Sequence, residues 1–278
     1  MKKALIIQGG GFRTAFSSGV LDAFMQNNYN PFDLYIAVSG GAIATSYYIA
    51  NQNKCCFNSI CFLSEKGRFV NYANILRWQP IMNVDIFYDI ANKHFPFDIT
   101  KARSLLTNKK FFIVMTNRST SEPYYCNPLE TNWQEAVIAS CSLPFITKGK
   151  HSINGIDYMD GAWSDPLPIK WTVEQGATDI TIVRTAPAKE KIKKSWIDYI
   201  GETYYSKNEN IKKAFIENHQ QYNRSIDFIS NPPNGIKINQ IYPEQHLKAG
   251  SYTNSIKLLE DDYKYGFDCG NNFIKCHK

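Results

Sequence analysis

Two short apolar runs, each passing at once into a glycine-rich turn and then a helical pattern, fill the first fifty residues and leave this chain few folds to choose from. Ala4-Leu-Ile-Ile7 runs into Gly9-Gly10-Gly11 and a helix expected from about Ala15 to Asn27, with Phe16, Val20, Ala23 and Phe24 on one face. Leu34-Tyr-Ile-Ala-Val38 runs into Ser39-Gly40-Gly41 and a helix expected from Ala42 to about Asn51. A continuous apolar run reads as a strand buried on both faces. Strand, turn and helix in repetition are the βαβ signature of a parallel sheet covered by helices, so the expected class is α/β.

The remaining elements fit that frame. Phe111-Phe-Ile-Val-Met115 reads as a strand, Ser121-Glu-Pro123 as a turn, and Tyr124-Tyr-Cys126 as the return strand of a hairpin. A helix is expected over Trp133 to Cys141, a strand over Ile153 to Tyr158, a helix over Pro168 to Gln175 and a strand over Thr178 to Arg184. Helical patterning covers Ser195 to Ser230, Ile236 to Ile241 reads as strand, and Thr253 to about Cys276 as helix interrupted at Gly270. Residues 54–100 hold Phe57, Phe62, Phe69, Tyr72, Trp78, Phe87 and Tyr88 without one clean period, and read as short helices and loops. With no repeat and no linker, residues 1–278 are expected to form a single domain, with a motif-bearing core at 4–186 and a helical and strand extension at 187–278.

Composition narrows the function classes. Hydrophobic residues at 44% and charged residues at 20% mark a globular chain, not a disordered one. The net charge of +6 comes without a long Lys/Arg stripe, which argues against nucleic acid as a partner. The seven cysteines form no C-x-x-C pair and have no histidine at zinc-finger spacing, so reduced thiols of a cytoplasmic protein are expected, with no metal and no cofactor. Met1-Lys2-Lys3 precedes only four apolar residues, too few for a signal peptide, and no stretch reaches the roughly 18 apolar residues of a membrane span.

Three local motifs carry chemistry. Gly9-Gly10-Gly11-Phe12-Arg13 lies where a strand meets a helix, and such a loop can hold a phosphate or an oxyanion on its N–H groups. The dinucleotide fingerprint fails, because Thr14 takes the third glycine's place, and there is no Gly-Lys-Ser/Thr for a P-loop. Ala37-Val38-Ser39-Gly40-Gly41 approaches G-x-S-x-G, in which a sharp strand-to-helix turn projects a nucleophilic hydroxyl, although Ser-Gly-Gly also occurs in plain loops. Asp160-Gly161-Ala162 follows a strand, where an aspartate serves as a base or simply caps a turn.

Taken together and in order, these motifs resemble the patatin-like phospholipase family, in its short, single-domain bacterial form. Ala139-Ser140-Cys141-Ser142-Leu143-Pro144-Phe145 is similar to that family's Ala-Ser-x-x-x-Pro segment, and the resemblance covers roughly residues 4 to 186. It implies a three-layer α/β sandwich with a mostly parallel central sheet and helices on both faces. It also implies Ser39 as nucleophile, Asp160 as base, and an oxyanion hole from the N–H groups of Gly9, Gly10, Gly11, Phe12 and Gly40, with Arg13 bracing the loop. Gln8 and Thr14 depart from the Asp and Gly usual at those places, and Ala37 from a Gly.

The activity so implied is hydrolysis of lipid acyl esters, of phospholipase A or lysophospholipase type, through a Ser–Asp dyad and an acyl-enzyme. None of the five histidines follows a strand as a third triad member would, and His151 is the only one near the motif strands. A carboxylate of ordinary pKa about 4 stays mostly ionised at neutral pH even if burial raises it a unit or two, so activity is expected to persist below histidine's range. The aromatics from Phe57 to Tyr88 either line an acyl channel or complete the core. The run Lys189 to Lys194, followed by Trp196, Tyr199, Tyr204 and Tyr205, is a solvated helix start or a peripheral membrane contact. Two other classes remain open: an inactive lipid-binding relative, and a nucleotide- or phosphate-binding α/β protein. Head group, acyl length and oligomeric state have no signature in the sequence.

Overall fold

The computed structural model describes residues 1–65, 69, 80–84, 86–251, 253 and 255–277. Tyr72 and Trp78 of the aromatic segment lie outside them. The first strand, β1 (Lys2–Ile7), and the second, β2 (Leu34–Val38), pair in parallel, as do β2 with β3 (Lys110–Asn117), β1 with β7 (Ala177–Val183), and β7 with β8 (Lys237–Ile241). Three more strands, β4 (Pro123–Cys126), β5 (His151–Ile153) and β6 (Ile156–Asp160), add antiparallel pairs beside β3, giving an eight-stranded sheet.

The apolar runs are continuous because each strand is buried twice. Leu5, Ile7, Tyr35, Ala37, Phe111 and Ile113 enter one core, while Ala4, Ile6, Leu34, Ile36, Val38 and Val114 enter the other. Against the first face lie α1 (Thr14–Gln26), α2 (Gly40–Ile49), α3 (Cys55–Ser64) and α6 (Trp133–Ser140). Between α3 and β3 the chain forms α4 (Ile86–Asp89), a π-helical turn and α5 (Ile99–Leu105). The second face is covered by α7 (Ile169–Glu174) and α9 (Glu209–Ser230), which follows the short α8 (Trp196–Tyr204). The result is the expected three-layer α/β sandwich.

Four expectations needed correction. The single strand expected over Ile153 to Tyr158 is a hairpin, because Asn154 and Gly155 take left-handed φ values of 50° and 79° and fold β5 onto β6. β6 then runs on to Asp160 itself. The helical stretch 195–230 breaks between Tyr204 and Glu209, where Asn208 caps a new helix by accepting from Ile211 N–H at 3.2 Å. Finally, α10 (Ile256–His277) is uninterrupted at Gly270. Gly19, Gly266 and Gly270 instead let α10 lie against α1: a Cβ at Gly266 would stand 2.0 Å from Phe16 O, and one at Gly19 2.0 Å from Tyr263 O. Among the described residues no helix is long and apolar enough to cross a membrane.

Strand register creates the meeting point of the site. Along one edge of β3, β2 occupies the positions up to Val114, opposite Val38, and β6 takes over from Met115, opposite Asp160. The other edge there belongs to β4. Two strands of opposite direction thus abut end to end, and the residues at their tips, Ser39 and Asp160, are forced together.

Candidate active site

Ser39 leaves β2 at φ 53° and ψ −131°, a strained conformation for a residue with a side chain, and α2 begins at the next residue. Close approach makes the turn possible. A Cβ on Gly9 would lie 2.7 Å from Ser39 Cβ, and one on Gly41 2.5 Å from Ile7 O. The glycines at the end of β1 and after Ser39 are therefore what lets the two turns interlock.

Ser39 Oγ donates to Asp160 Oδ2 at 2.7 Å, with Ser39 7% and Asp160 0% exposed. The other carboxylate oxygen accepts from Ala162 N–H at 2.9 Å. Asp160 therefore caps a turn and faces a serine hydroxyl at once. Its backbone is held by Ser142 O, which accepts from Asp160 N–H at 3.0 Å, and by Thr116 Oγ1, which donates to Asp160 O at 2.8 Å. Burial pushes the carboxyl up to about 7, and the hydrogen bonds from Ser39 and Ala162 only partly oppose it. Complete burial raises it more than the unit or two anticipated, which moves the acid limb expected of this base toward neutral pH.

The glycine loop is held by its carbonyls. Thr185 Oγ1 donates to Gly9 O at 2.8 Å, and both Arg13 N–H and Arg13 Nε donate to Gly10 O, at 3.2 and 3.3 Å. In a planar trans peptide the N–H points opposite to the C=O, so these anchors turn the N–H groups of Gly10 and Gly11 away from Thr185 and Arg13. Neither has an acceptor among the described residues, nor does Gly40 N–H at the start of α2. Phe12 is different: its N–H donates to Ser251 O at 3.1 Å and its ring is buried, so it is engaged elsewhere. Gln8 takes up Thr185 N–H through Oε1 at 3.0 Å, tying the ends of β1 and β7. The first turns of α1 and α2 both open beside Ser39, adding partial positive charge.

Sequence reasoning missed Ser140, Thr185 and Ser251. The Ala-Ser-x-x-x-Pro pattern marked Ser140's neighbourhood but not its bonds; Thr185 and Ser251 lie about 175 and 240 residues from the loop they hold and carry no local signal. Among the hydrogen bonds of the described residues, Ser39 Oγ and the Asp160 carboxylate meet each other and Ala162 N–H and no histidine, and His151 lies in β5 opposite Tyr158.

Ser39 stands between two unlike spaces. On one side an apolar cavity is walled by Ile43, Ile60, Leu63, Phe69, Met82 and Phe87, and it adjoins a second apolar cavity that reaches Phe97 and Trp133. On the other side lies a polar cleft with Arg13, Asp160, Glu190, Asn218 and Tyr222. The aromatic segment divides accordingly: Phe69 and Phe87 line the cavity, while Phe57 stacks on Tyr263 of α10 and completes the core. Cys141 lines the same cavity, and burial holds its thiol well above its usual range.

The chain is 31% identical over 277 residues to the Escherichia coli (strain K12) protein YjjU, described as uncharacterized, covering 98% of this chain and 76% of that one. The crystal structure of VipD from Legionella pneumophila superposes with a TM-score of 0.50 at 11% identity, over 99% of this chain and 67% of that one, a likeness of fold. Residues 208–278 match a domain of unknown function, DUF6363. Residues 5–171 match the patatin-like phospholipase family, and the chain belongs to it.

Proposed function

We propose that this protein is a serine hydrolase of lipid acyl esters that works through a Ser39–Asp160 dyad. The observation that carries the reading is the 2.7 Å hydrogen bond from Ser39 Oγ to a buried Asp160 carboxylate, placed where an apolar cavity meets a polar cleft. Asp160 Oδ2 takes the Ser39 proton as Oγ attacks the ester carbonyl. The N–H groups of Gly10, Gly11 and Gly40 receive the oxyanion, each donor worth about 3 kcal/mol in the transition state. Collapse returns the proton to the leaving alcohol and leaves acyl-Ser39. Asp160 then deprotonates a water that releases the acid.

The acyl chain occupies the apolar side and the alcohol the polar cleft. The substrate class is thus an ester with a long apolar acyl group and a polar leaving part, of phospholipase A or lysophospholipase type. The extension 187–278 is part of the same unit, since β8 extends the sheet and α10 is fitted to α1. Exposed Trp196, Tyr199 and Tyr204 on α8 would touch a lipid surface peripherally, although Lys191 and Lys194 of the preceding basic run are paired with Asp227 and Glu202. All seven thiols are free, which suits the cytoplasm.

The test is fluorophosphonate labelling together with hydrolysis of p-nitrophenyl esters and defined phospholipids. Wild-type protein should be labelled on Ser39 and turn over; folded Ser39→Ala should do neither. Equal activity in Ser39→Ala would remove the reading. Absence of both labelling and turnover in the wild type would leave an inactive relative, or a phosphate-binding loop.

A further inference from the structure

Thr14 opens α1 with its side chain 1% exposed, and its Oγ1 has no hydrogen-bond partner among the described residues. Buried hydroxyls in native proteins find partners, so this one needs an explanation. Several helical serines and threonines of this protein return their hydroxyls to the carbonyl four residues back, Thr45 to Gly41, Ser46 to Ala42, Ser59 to Cys55 and Thr172 to Pro168, whereas Ser17 of α1 is unpartnered among the described residues like Thr14 and Ser18 donates to Cys56 Sγ. For Thr14 that carbonyl is Gly10 O, which Arg13 already occupies with its backbone N–H and its Nε. A donor is therefore left over, and its position is specific. A Cβ on Gly40 would lie 2.4 Å from Thr14 Oγ1, and Thr14 is among the residues that wall the apolar cavity with Ser39, Gly11 and Gly40, its hydroxyl itself covered.

We propose that Thr14 Oγ1 donates a hydrogen bond to the acyl oxygen of the bound ester and holds it as it becomes an oxyanion. This makes Thr14 a catalytic residue that completes an anion hole of backbone N–H groups. The proposal rests on Ser39 being the nucleophile. The donor follows one arm of the hole, Gly11 in the 3-10 turn that leads into α1, and packs against the other, Gly40 at the start of α2. In an otherwise apolar wall it finds its acceptor only when an ester arrives. The unoccupied protein carries the unpaired hydroxyl as a standing cost to its stability.

Thr14→Val removes the hydroxyl and keeps the shape, and Thr14→Ser keeps the hydroxyl. With a p-nitrophenyl ester, Thr14→Val should lower kcat by about 100- to 1000-fold, with KM within about threefold because the contact strengthens only in the transition state. Thr14→Ser should restore most of kcat. Tm supplies the readout that a merely structural hydroxyl would not give: Thr14→Val should melt at or above the wild-type temperature, since it removes a buried group without a partner. Unchanged kcat in Thr14→Val, no recovery in Thr14→Ser, or a fall in Tm that parallels the loss of activity would each overturn the assignment. Ser39→Ala, run alongside, separates the two levels. If it is inactive while Thr14→Val is unimpaired, only the Thr14 role fails. If Ser39→Ala keeps its activity, the nucleophile fails and Thr14's role falls with it.

Discussion

Ser140 Oγ accepts the backbone N–H of Ser39 at 2.8 Å and donates to Val114 O at 2.6 Å, so one fully buried hydroxyl on α6 stitches the seam where β2 ends and β6 begins. Val114 is the last residue of β3 to face β2, and Met115 the first to face β6. Ser140 ties the backbone of the Ser39 turn to that of β3 at the gap between β2 and β6. The strained Ser39 conformation is thus held from outside its own strand and helix, by a side chain a hundred residues away.

Ser140→Ala leaves a buried donor and a buried acceptor unpaired, at about 1–3 kcal/mol for each group. We expect a clear loss in urea-unfolding free energy together with a fall in kcat, because the Ser39 turn loses its fixed direction. A variant with wild-type stability and kcat would show that the turn holds itself.

Gly11 has φ 57°, and an added Cβ would come within 2.6 Å of Ser251 O. Gly11→Ala therefore strains the backbone and displaces the loop, and should lower kcat more than KM if the loop's N–H groups serve the transition state. Gly235→Ala is the control: its φ is 84°, but nothing lies within 4 Å of the added carbon. It should cost about 1–2 kcal/mol of stability and leave kcat alone. A rise in KM alone for Gly11→Ala would make the loop a ground-state binding element.

Stability and activity should respond to pH in opposite directions. Asp160 is raised to about 7, and Asp22 and Asp165 to about 6, in each case chiefly by burial. Between about pH 4 and these values the folded chain binds more protons than the unfolded one, so this stability is present at acid pH and is lost as pH rises through 6 to 7. The base, however, must be ionised, so kcat/KM should fall on acidification with a limb near pH 7. Asp160→Asn should abolish turnover and weaken the pH dependence of Tm near pH 7, leaving the share that Asp22 and Asp165 contribute up to about pH 6. A limb that shifts strongly with temperature would mark an imidazole instead, because carboxylates ionise with little heat. His151→Ala, expected to stay within a few-fold of wild type, checks the same point.

Legibility followed the range of the interaction. Gly9 to Gly11, Ser39 and Asp160 could be read because each sits at a strand end, where local turn chemistry restricts the residue. Long apolar runs could be read as twice-buried strands for the same reason. The turn at Asn154-Gly155 was also local, but an apolar pattern running across it concealed the hairpin. What no local pattern encodes is contact made by distant segments: Ser251 taking Phe12 N–H, Thr185 holding Gly9 O, and Gly270 serving the contact with α1 instead of breaking α10. The pKa of Asp160 belongs with these, since its burial is a property of the assembled sheet and helices.

The two apolar cavities predict a chain-length profile. Ile43, Ile60, Leu63 and Phe87 wall both, forming the passage from the space beside Ser39 to the one reaching Phe97 and Trp133. If acyl chains run through it, each methylene moved out of water contributes about 0.8 kcal/mol, and kcat/KM should climb with acyl length until the far cavity is full. Ile60 stands on α3, away from the Ser39 turn, so Ile60→Phe narrows the passage without touching the dyad. Esters short enough to stop before the passage should react within about threefold of wild type, whereas long-chain esters should lose at least about tenfold, the equivalent of two buried methylenes. Val137→Phe, at the wall of the far cavity alone, should spare intermediate lengths and penalise only the longest. Measuring p-nitrophenyl esters from acetate to palmitate with both variants checks the idea. A profile that keeps its shape in Ile60→Phe would mean that the acyl chain lies elsewhere and that Phe87 and its neighbours only complete the core.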